Sequence, residues 1–146
     1  MFRFGALLFL LVAGTSLAQN EDAVKKDLKA LEGTWVLSAL EVNGVDVPLA
    51  KLDGSILEIK GDVYTILRKD KRDSVTLKLN PAKSPKEMDM IPQEGDRKDK
   101  VLKGIYMIEK DTFKFCRGLN HDQDRPGVFA TWPNTNYFVA TWKRKG

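Results

Sequence analysis

The pattern of apolar residues changes at Gly33 from a helical period to a period of two. Before this glycine, Val24, Leu28 and Leu31 are spaced by four and three residues, so they share one face of an amphipathic helix. Asn20 is placed to cap the start of this helix. After Gly33, apolar side chains recur at every second position, which is the period of a β-strand. The sequence therefore predicts one short N-terminal helix followed by an all-β region.

Eight or nine short strands are expected, separated by turn signals at nearly regular intervals. Strict alternation in the first strand places Trp35, Leu37 and Ala39 on one face. The strand leads into Asn43-Gly44, a pair that favours a type I′ hairpin because both residues tolerate a positive φ. The strands expected after this hairpin are residues 55–60, 63–67, 74–79, 87–90, 105–108, 112–116, 128–131 and 137–143.

Short connections between consecutive strands are typical of an up-and-down meander. Two longer polar segments, residues 92–100 and 118–127, are expected to be surface loops. Closing a meander into a ring removes the exposed edges of the sheet. The predicted fold class is therefore all-β: a small antiparallel up-and-down β-barrel of about eight strands, with one short N-terminal helix.

The first eighteen residues have the pattern of a secretory signal peptide. Arg3 supplies a positive charge, residues 4–13 are apolar, and Ser16 and Ala18 are small residues at the expected cleavage site. The apolar run is shorter than the roughly 20 residues that cross a bilayer. Gln19 follows the expected cut, where a lipoprotein would have cysteine. Neither a transmembrane anchor nor a lipid anchor is therefore expected.

The predicted organisation is a signal peptide, residues 1–18, and a single domain, residues 19–146, that is exported to the periplasm or the extracellular space as a monomer. Removing the signal peptide leaves 23 basic and 20 acidic residues. Their signs are mixed, as in residues 68–73, so no nucleic-acid partner is expected. Cys116 is the only cysteine, so the fold depends on its core without an internal disulfide. Its thiol is either buried and inert, or reactive, or part of an intermolecular disulfide.

Catalytic and metal-binding motifs are sparse. The only cluster that offers cation ligands is His121 with Asp122 and Asp124. It lacks the glycine and the distal glutamate of an EF-hand, and it is short of the ligands of a zinc site. No serine lies in a Gly-x-Ser-x-Gly elbow, and His121 is the only imidazole. We therefore expect a protein that is not an enzyme and that needs no metal or cofactor.

The start of the first strand, Gly33-Thr34-Trp35, resembles the Gly-x-Trp signature of lipocalins, in which the tryptophan closes one end of the barrel. Further motifs extend over about residues 28–145. Together they resemble an uncharacterised lipocalin-like family of secreted single domains that is expanded in planctomycete bacteria. The motifs are Leu31-Glu-Gly-Thr-Trp35, Asn43-Gly44 with Pro48, Ile59-Lys-Gly-Asp62, Leu79-Asn-Pro81, Gly104-Ile-Tyr106, Asp111-Thr112, Cys116, and Arg125-Pro126 with Phe129.

The resemblance implies a small barrel in which Trp35 is buried at the closed end, packed by the N-terminal helix. It also implies that Cys116, Arg125 and Pro126 are recurrent positions, which we interpret as structural. It supplies no catalytic residue, because the family has no established reaction.

Strand alternation places Cys116 on the face opposite Phe113 and Phe115. If the two phenylalanines fill the barrel, the thiol points outward. It then needs a cover from the helix or from the loop 118–127, unless a bulge turns it inward. Arg125 ends this loop, and it is expected to act as a latch by bonding carbonyl groups or aspartates of the same loop. A ligand-contacting role at the barrel mouth is the alternative for this arginine.

Two functions are open for such a barrel, since inward aromatic rings either fill it or line a pocket. The first is binding of a small apolar or amphipathic ligand in the barrel mouth, with Arg125, Phe129 and Tyr137 as contacts. The alternative is an extracytoplasmic interaction module with a solidly packed barrel, whose loops contact a protein or envelope partner. A cavity of about 300 Å³ or more favours the first function. A packed interior with an exposed aromatic patch favours the second.

Cleavage of the exported protein is expected between Ala18 and Gln19, because small residues precede this bond at the positions that signal peptidase reads. N-terminal sequencing of the exported material measures the cut directly. A mature protein that still begins with Met1 would contradict the prediction.

Overall fold

The computed structural model describes residues 15–52 and 54–146. This part of the chain forms one α-helix, one short 3-10 helix and nine strands. They are α1 (Thr15–Leu31), β1 (Gly33–Val42), β2 (Val45–Asp46), the 3-10 helix (Leu49–Lys51), β3 (Ile56–Lys60), β4 (Val63–Arg68), β5 (Lys71–Asn80), β6 (Lys86–Pro92), β7 (Leu102–Glu109), β8 (Thr112–Gly118) and β9 (Tyr137–Arg144).

The strands follow one another in chain order around a closed antiparallel barrel. β1 pairs with β3, each strand from β3 onward pairs with the next, and β9 pairs back with β1. The two-residue strand β2 pairs with β1 and lies outside the ring of eight. The prediction of an all-β, up-and-down barrel of about eight strands with one helix is therefore confirmed.

The Asn43-Gly44 hairpin forms as expected, with φ values of 52° and 79° at its two turn residues. The strict alternation expected along β1 is wrong after Leu37. In the pairing of β1 with β9, Leu37 lies opposite Trp142 but Ala39 lies opposite Thr141, so Ser38 is the extra residue of a β-bulge. The bulge leaves Ala39 exposed and turns the next residue, Leu40, toward the barrel interior.

Two other local expectations are corrected. The described helix already includes Thr15, so Asn20 lies inside it and is not its N-cap. Residues 128–131 do not form a strand, because the closed ring leaves them no edge to pair with. Most of the expected signal peptide, residues 1–14, lies outside the described residues.

Helix α1 covers one end of the barrel, the closed end. Its apolar stripe, which includes Leu28 and Leu31, packs against the core. Trp35 is 0 % exposed directly beneath this stripe. Its indole Nε1–H donates a hydrogen bond of 2.8 Å to the carbonyl of Leu31, and its ring contacts Phe113 edge-on at 5.9 Å between centroids. The tryptophan therefore joins the helix to the floor of the barrel.

Polar contacts along the C-terminal part of the helix fix its position on the barrel. The buried carboxylate of Asp27 accepts hydrogen bonds of 2.8 Å from the hydroxyl of Tyr106 and from the ammonium of Lys86. Arg144, in β9, donates to the carbonyls of Ala30 and Glu32 at 2.7 and 2.8 Å. These last carbonyls of a helix have no partner within it, so an arginine there stabilises the helix end.

Trp35→Ala is expected to lower the free energy of unfolding by about 3–5 kcal/mol, because it removes the largest side chain of the closed end and its hydrogen bond to Leu31. Chemical denaturation measures this loss. Trp132→Ala is the matched control, since Trp132 is 57 % exposed and its removal should change stability by less than about 0.5 kcal/mol. A loss below about 1 kcal/mol for Trp35→Ala would contradict the prediction.

Candidate functional site

The end of the barrel opposite α1 contains a pocket of about 730 Å³. Inward-facing side chains of several strands form its apolar walls, among them Leu40, Ile66, Val75 and Phe138. These residues are only half-buried although they pack against the core. Their remaining exposed surface faces the pocket, so the barrel is filled at one end and hollow at the other.

Two small residues lie on the inward face of the barrel near this pocket. Ala140 lines the pocket and lies opposite Phe115 in the pairing of β8 with β9. A larger side chain at this position would extend into the interior, as Trp35 does at the closed end. Gly104 lies opposite Arg117, and a Cβ at this glycine would be 3.1 Å from the Cβ of Arg117 and 2.9 Å from the carbonyl oxygen of Cys116, so the glycine allows β7 and β8 to approach closely.

Charged residues of both signs surround the mouth of the pocket. They come from the β4–β5 turn and from the loop between β6 and β7: Arg68, Lys71, Asp73, Glu94, Asp96 and Arg97. The Nη1–H of Arg97 donates a hydrogen bond of 2.8 Å to the carbonyl of Leu119. This hydrogen bond joins two segments at the mouth of the pocket, the β6–β7 loop and the segment that follows β8.

The pocket is also lined by the serines Ser55 and Ser74 and by three larger polar side chains below the mouth. Tyr64 is 1 % exposed, Trp142 is 3 % exposed, and the third, Arg117, is half-buried. The guanidinium of Arg117 lies over the ring of Phe138 at 4.6 Å from its centroid, and its Nη1–H donates to the carbonyl of Gly118 at 2.8 Å. Burial raises the pKa of Tyr64 and lowers the pKa of Arg117 to about 10. At neutral pH the phenol is therefore uncharged and the guanidinium is charged.

Sequence reasoning missed Arg117, although the signal was present. Alternation along β8 places Phe113, Phe115 and Arg117 on the same inward face. A charged residue that continues an apolar inward row is a candidate for contact with a ligand inside a barrel.

The segment after β8, residues 119–136, is here named the strap, because it crosses the outer surface of the barrel. Phe129 of the strap packs against Ile105, Cys116 and Val139, which point outward from β7, β8 and β9. Thr131 continues onto β1, where its hydroxyl donates to the carboxylate of Glu41 at 2.6 Å. The strap therefore covers a second, small apolar cluster outside the ring.

Cys116 points outward and is buried under the strap. The loop cover expected from the sequence is therefore present, and no bulge lies at this position in the pairing of β8 with its neighbours. Burial raises the pKa of the thiol to about 11, and the nearby carboxylate of Glu41 acts in the same direction. The thiol is therefore protonated and unreactive at neutral pH.

Arg125 anchors the strap to the outer surface of β6 and β7. Its Nη1 donates to the carbonyls of Gly104 and Met88 at 2.9 and 3.3 Å, and its Nη2 donates to Asp89 at 2.7 Å. The Nε lies 3.7 Å from a carboxylate oxygen of Glu87. The expectation that Arg125 bonds carbonyl groups or aspartates of its own loop is wrong. Its partners lie on β6 and β7, where the outward carboxylates of Asp89 and Glu87 attract the guanidinium.

The three residues expected as ligand contacts lie on the outside of the barrel, and none of them lines the pocket. Phe129 belongs to the outer cluster, Arg125 binds the outer surface, and the hydroxyl of Tyr137 donates to the carbonyl of Asp124 at 2.9 Å. Phe138 takes the inward position of β9 instead. All three therefore hold the strap. Pro126, next to Arg125, is half-buried.

Within residues 15–52 and 54–146, no helix is long and apolar enough to cross a membrane. The same residues contain no group of three or more His, Cys, Asp or Glu side chains that could hold a metal ion. His121, Asp122 and Asp124 are exposed on the strap.

Arg125→Ala is expected to raise the rate at which a thiol reagent labels Cys116 in the native protein by roughly tenfold or more. In the wild type, each hydrogen bond of the Arg125 guanidinium contributes about 1.5–3 kcal/mol to holding the strap closed, and the variant loses these bonds. Mass spectrometry of the labelled protein measures the rate. Arg72→Ala, at an exposed arginine on the outer surface of β5, is the control. Equal labelling of the wild type and Arg125→Ala would show that the strap stays closed without the arginine.

Comparison of the chain with known proteins finds no matching family model, no matching curated protein and no matching solved structure. The interpretation of its function therefore depends on the pocket, on the side chains that line it and on the sequence patterns described above.

Proposed function

We propose that this chain is an exported, lipocalin-like binding protein without enzyme activity, which takes one small apolar or amphipathic molecule into its barrel. The observation that carries the proposal is the pocket of about 730 Å³ at the open end. Its volume lies within the range of about 300–1,000 Å³ that is typical of small-molecule sites.

The walls of the pocket supply the driving force for binding. Leu40, Ile66, Val75 and Phe138 are half-buried and face the interior, so part of their apolar surface contacts solvent when no ligand is bound. A ligand that covers this surface gains about 25 cal/mol for each Å² of apolar area removed from water. Rigid strands carry these side chains, so little ordering is needed on binding.

The pocket favours this function over the alternative of an extracytoplasmic interaction module, which expects a solidly packed barrel. The exposed side chains of Val128 and Trp132 on the strap support that alternative. Exposed apolar side chains are common on protein surfaces, and two of them do not make an apolar patch of the size that marks an interface.

One feature of the sequence and one of the structure support export. Residues 1–18 have the charge and apolar pattern of a signal peptide. The single thiol, Cys116, is buried under the strap, where an oxidising compartment cannot readily reach it. Native mass spectrometry of the protein isolated from its own host is expected to detect a bound small molecule that is lost on denaturation.

Val75→Trp is expected to weaken the binding of Nile red, a neutral apolar dye, by at least about tenfold, because the larger ring occupies the pocket. Fluorescence titration measures the affinity, and thermal unfolding checks that the variant folds. Lys78→Trp is the matched control, since it places the same ring on the same strand at an exposed position. Equal affinities of the two variants would place the dye outside the barrel and contradict the prediction.

A further inference from the structure

Three buried hydrogen-bond donors, on side chains that line the pocket, have no acceptor among the described residues. They are the hydroxyl of Tyr64, the Nε–H of Arg117 and the Nε1–H of Trp142. Buried polar groups nearly always have a partner, so three such groups in the lining of one pocket need an explanation. The two other unpartnered buried atoms in the described chain are amide oxygens, on Asn20 and Asn80, and they lie outside the pocket. The three unpartnered atoms on lining residues are therefore all donors, and each of them lacks an acceptor.

The charge inside the pocket is uncompensated as well. Arg117 forms no ion pair with a carboxylate of the described residues, and the positive charges of Arg97 and Arg68 both act on it. The acidic side chains of the lining are near the mouth, on Asp73, Glu94 and Asp96. A half-buried cation without a counter-ion has lost part of its hydration, so a negative group on a ligand would be bound favourably here.

The guanidinium of Arg117 is held in one orientation. One face lies on the ring of Phe138 and its Nη1–H is bonded to the carbonyl of Gly118, while its Nε–H is left without an acceptor. Arg117 and Tyr64 both line the pocket, so a group inside it is within reach of the two side chains. Gly104 lies opposite Arg117 on β7, where a Cβ would come within 3.1 Å of the Cβ of Arg117.

We propose that the pocket selects an amphiphile with a carboxylate head group and a single alkyl tail. Arg117 pairs with the carboxylate, and Tyr64 donates its hydroxyl proton to the same group. The tail lies against the apolar walls, which include Ile66 and Val75. A single arginine charge matches a monoanion, and the planar guanidinium matches a carboxylate. The inference rests on the proposed binding function and adds the charge, the class and the position of the ligand's head group.

Displacement of Nile red by decanoate and by decan-1-ol separates recognition of the head group from binding of the tail, because the two molecules have the same tail length. The wild type is expected to bind decanoate at least about tenfold more tightly than the alcohol. Decanoate is also expected to raise the midpoint of thermal unfolding, since it binds the folded state alone.

Arg117→Met keeps a long unbranched side chain and removes the charge. It is expected to lose the preference for decanoate while its affinity for decan-1-ol stays within about twofold of the wild type. Arg72→Met is the matched control, because it makes the same change at an exposed arginine outside the pocket. Tyr64→Phe removes only a hydroxyl and is expected to reduce the preference by about threefold or more. It gives an independent measurement if Arg117→Met does not fold.

The outcomes distinguish this inference from the function on which it rests. Equal binding of decanoate and decan-1-ol by the wild type would overturn the carboxylate site and leave binding of apolar molecules intact. Failure of both compounds to displace a dye that binds in the pocket would overturn the carboxylate site alone. Failure of Nile red to bind, with no shift of the thermal midpoint by either compound, would overturn both. An unchanged preference for decanoate in Tyr64→Phe and in every folded Arg117 variant would show that other groups recognise the head group, and it would overturn the assignment of these residues.

Discussion

Pairing of β1 with β9 is the interaction on which the rest of the molecule depends. Without it, the meander would be an open sheet with two exposed edges. Closure gives every strand an inner and an outer face, so alternation along β8 sends Phe115 inward and Cys116 outward. The inner face needs a core and the outer face needs a cover. Helix α1 closes one end of the interior, and the strap covers the apolar cluster on the outside.

The interior of an eight-stranded ring is just wide enough for side chains to fill it, so the size of each inward residue decides whether a cavity remains. Trp35, Tyr106 and Phe113 are fully buried toward the closed end, while Gly104 and Ala140 are the small inward residues farther along. The unpartnered polar groups lie in the half that stays open. They reduce the stability of the protein, because a buried donor without an acceptor has lost its hydration without gaining a hydrogen bond. A ligand that supplies acceptors would restore what these groups lack.

Local signals predicted much of the fold, because hairpins depend on neighbouring residues. The Asn43-Gly44 turn, the helical stripe and the order of the strands are examples. The bulge at Ser38 was not predictable, since one inserted residue leaves the apolar pattern intact and only the register with β9 reveals it. Residues 128–131 have a strand-like composition, but the partners of a strand are set by the whole ring. Arg117 was missed for a similar reason: a lone charge gains meaning only from the cavity around it.

Arg144 has a consequence for how the molecule assembles. It joins β9 to the helix end by donating to the carbonyl of Glu32, 112 positions away along the chain, while its guanidinium stacks on Trp35 at 4.3 Å. Hairpins between adjacent strands form in about 1–10 μs. Contacts between residues so far apart must first overcome the entropy of closing nearly the whole chain into a loop. The pairing of the first and last strands therefore carries the largest loop-closure cost in the fold, and such non-local pairing is typical of proteins that fold slowly for their size.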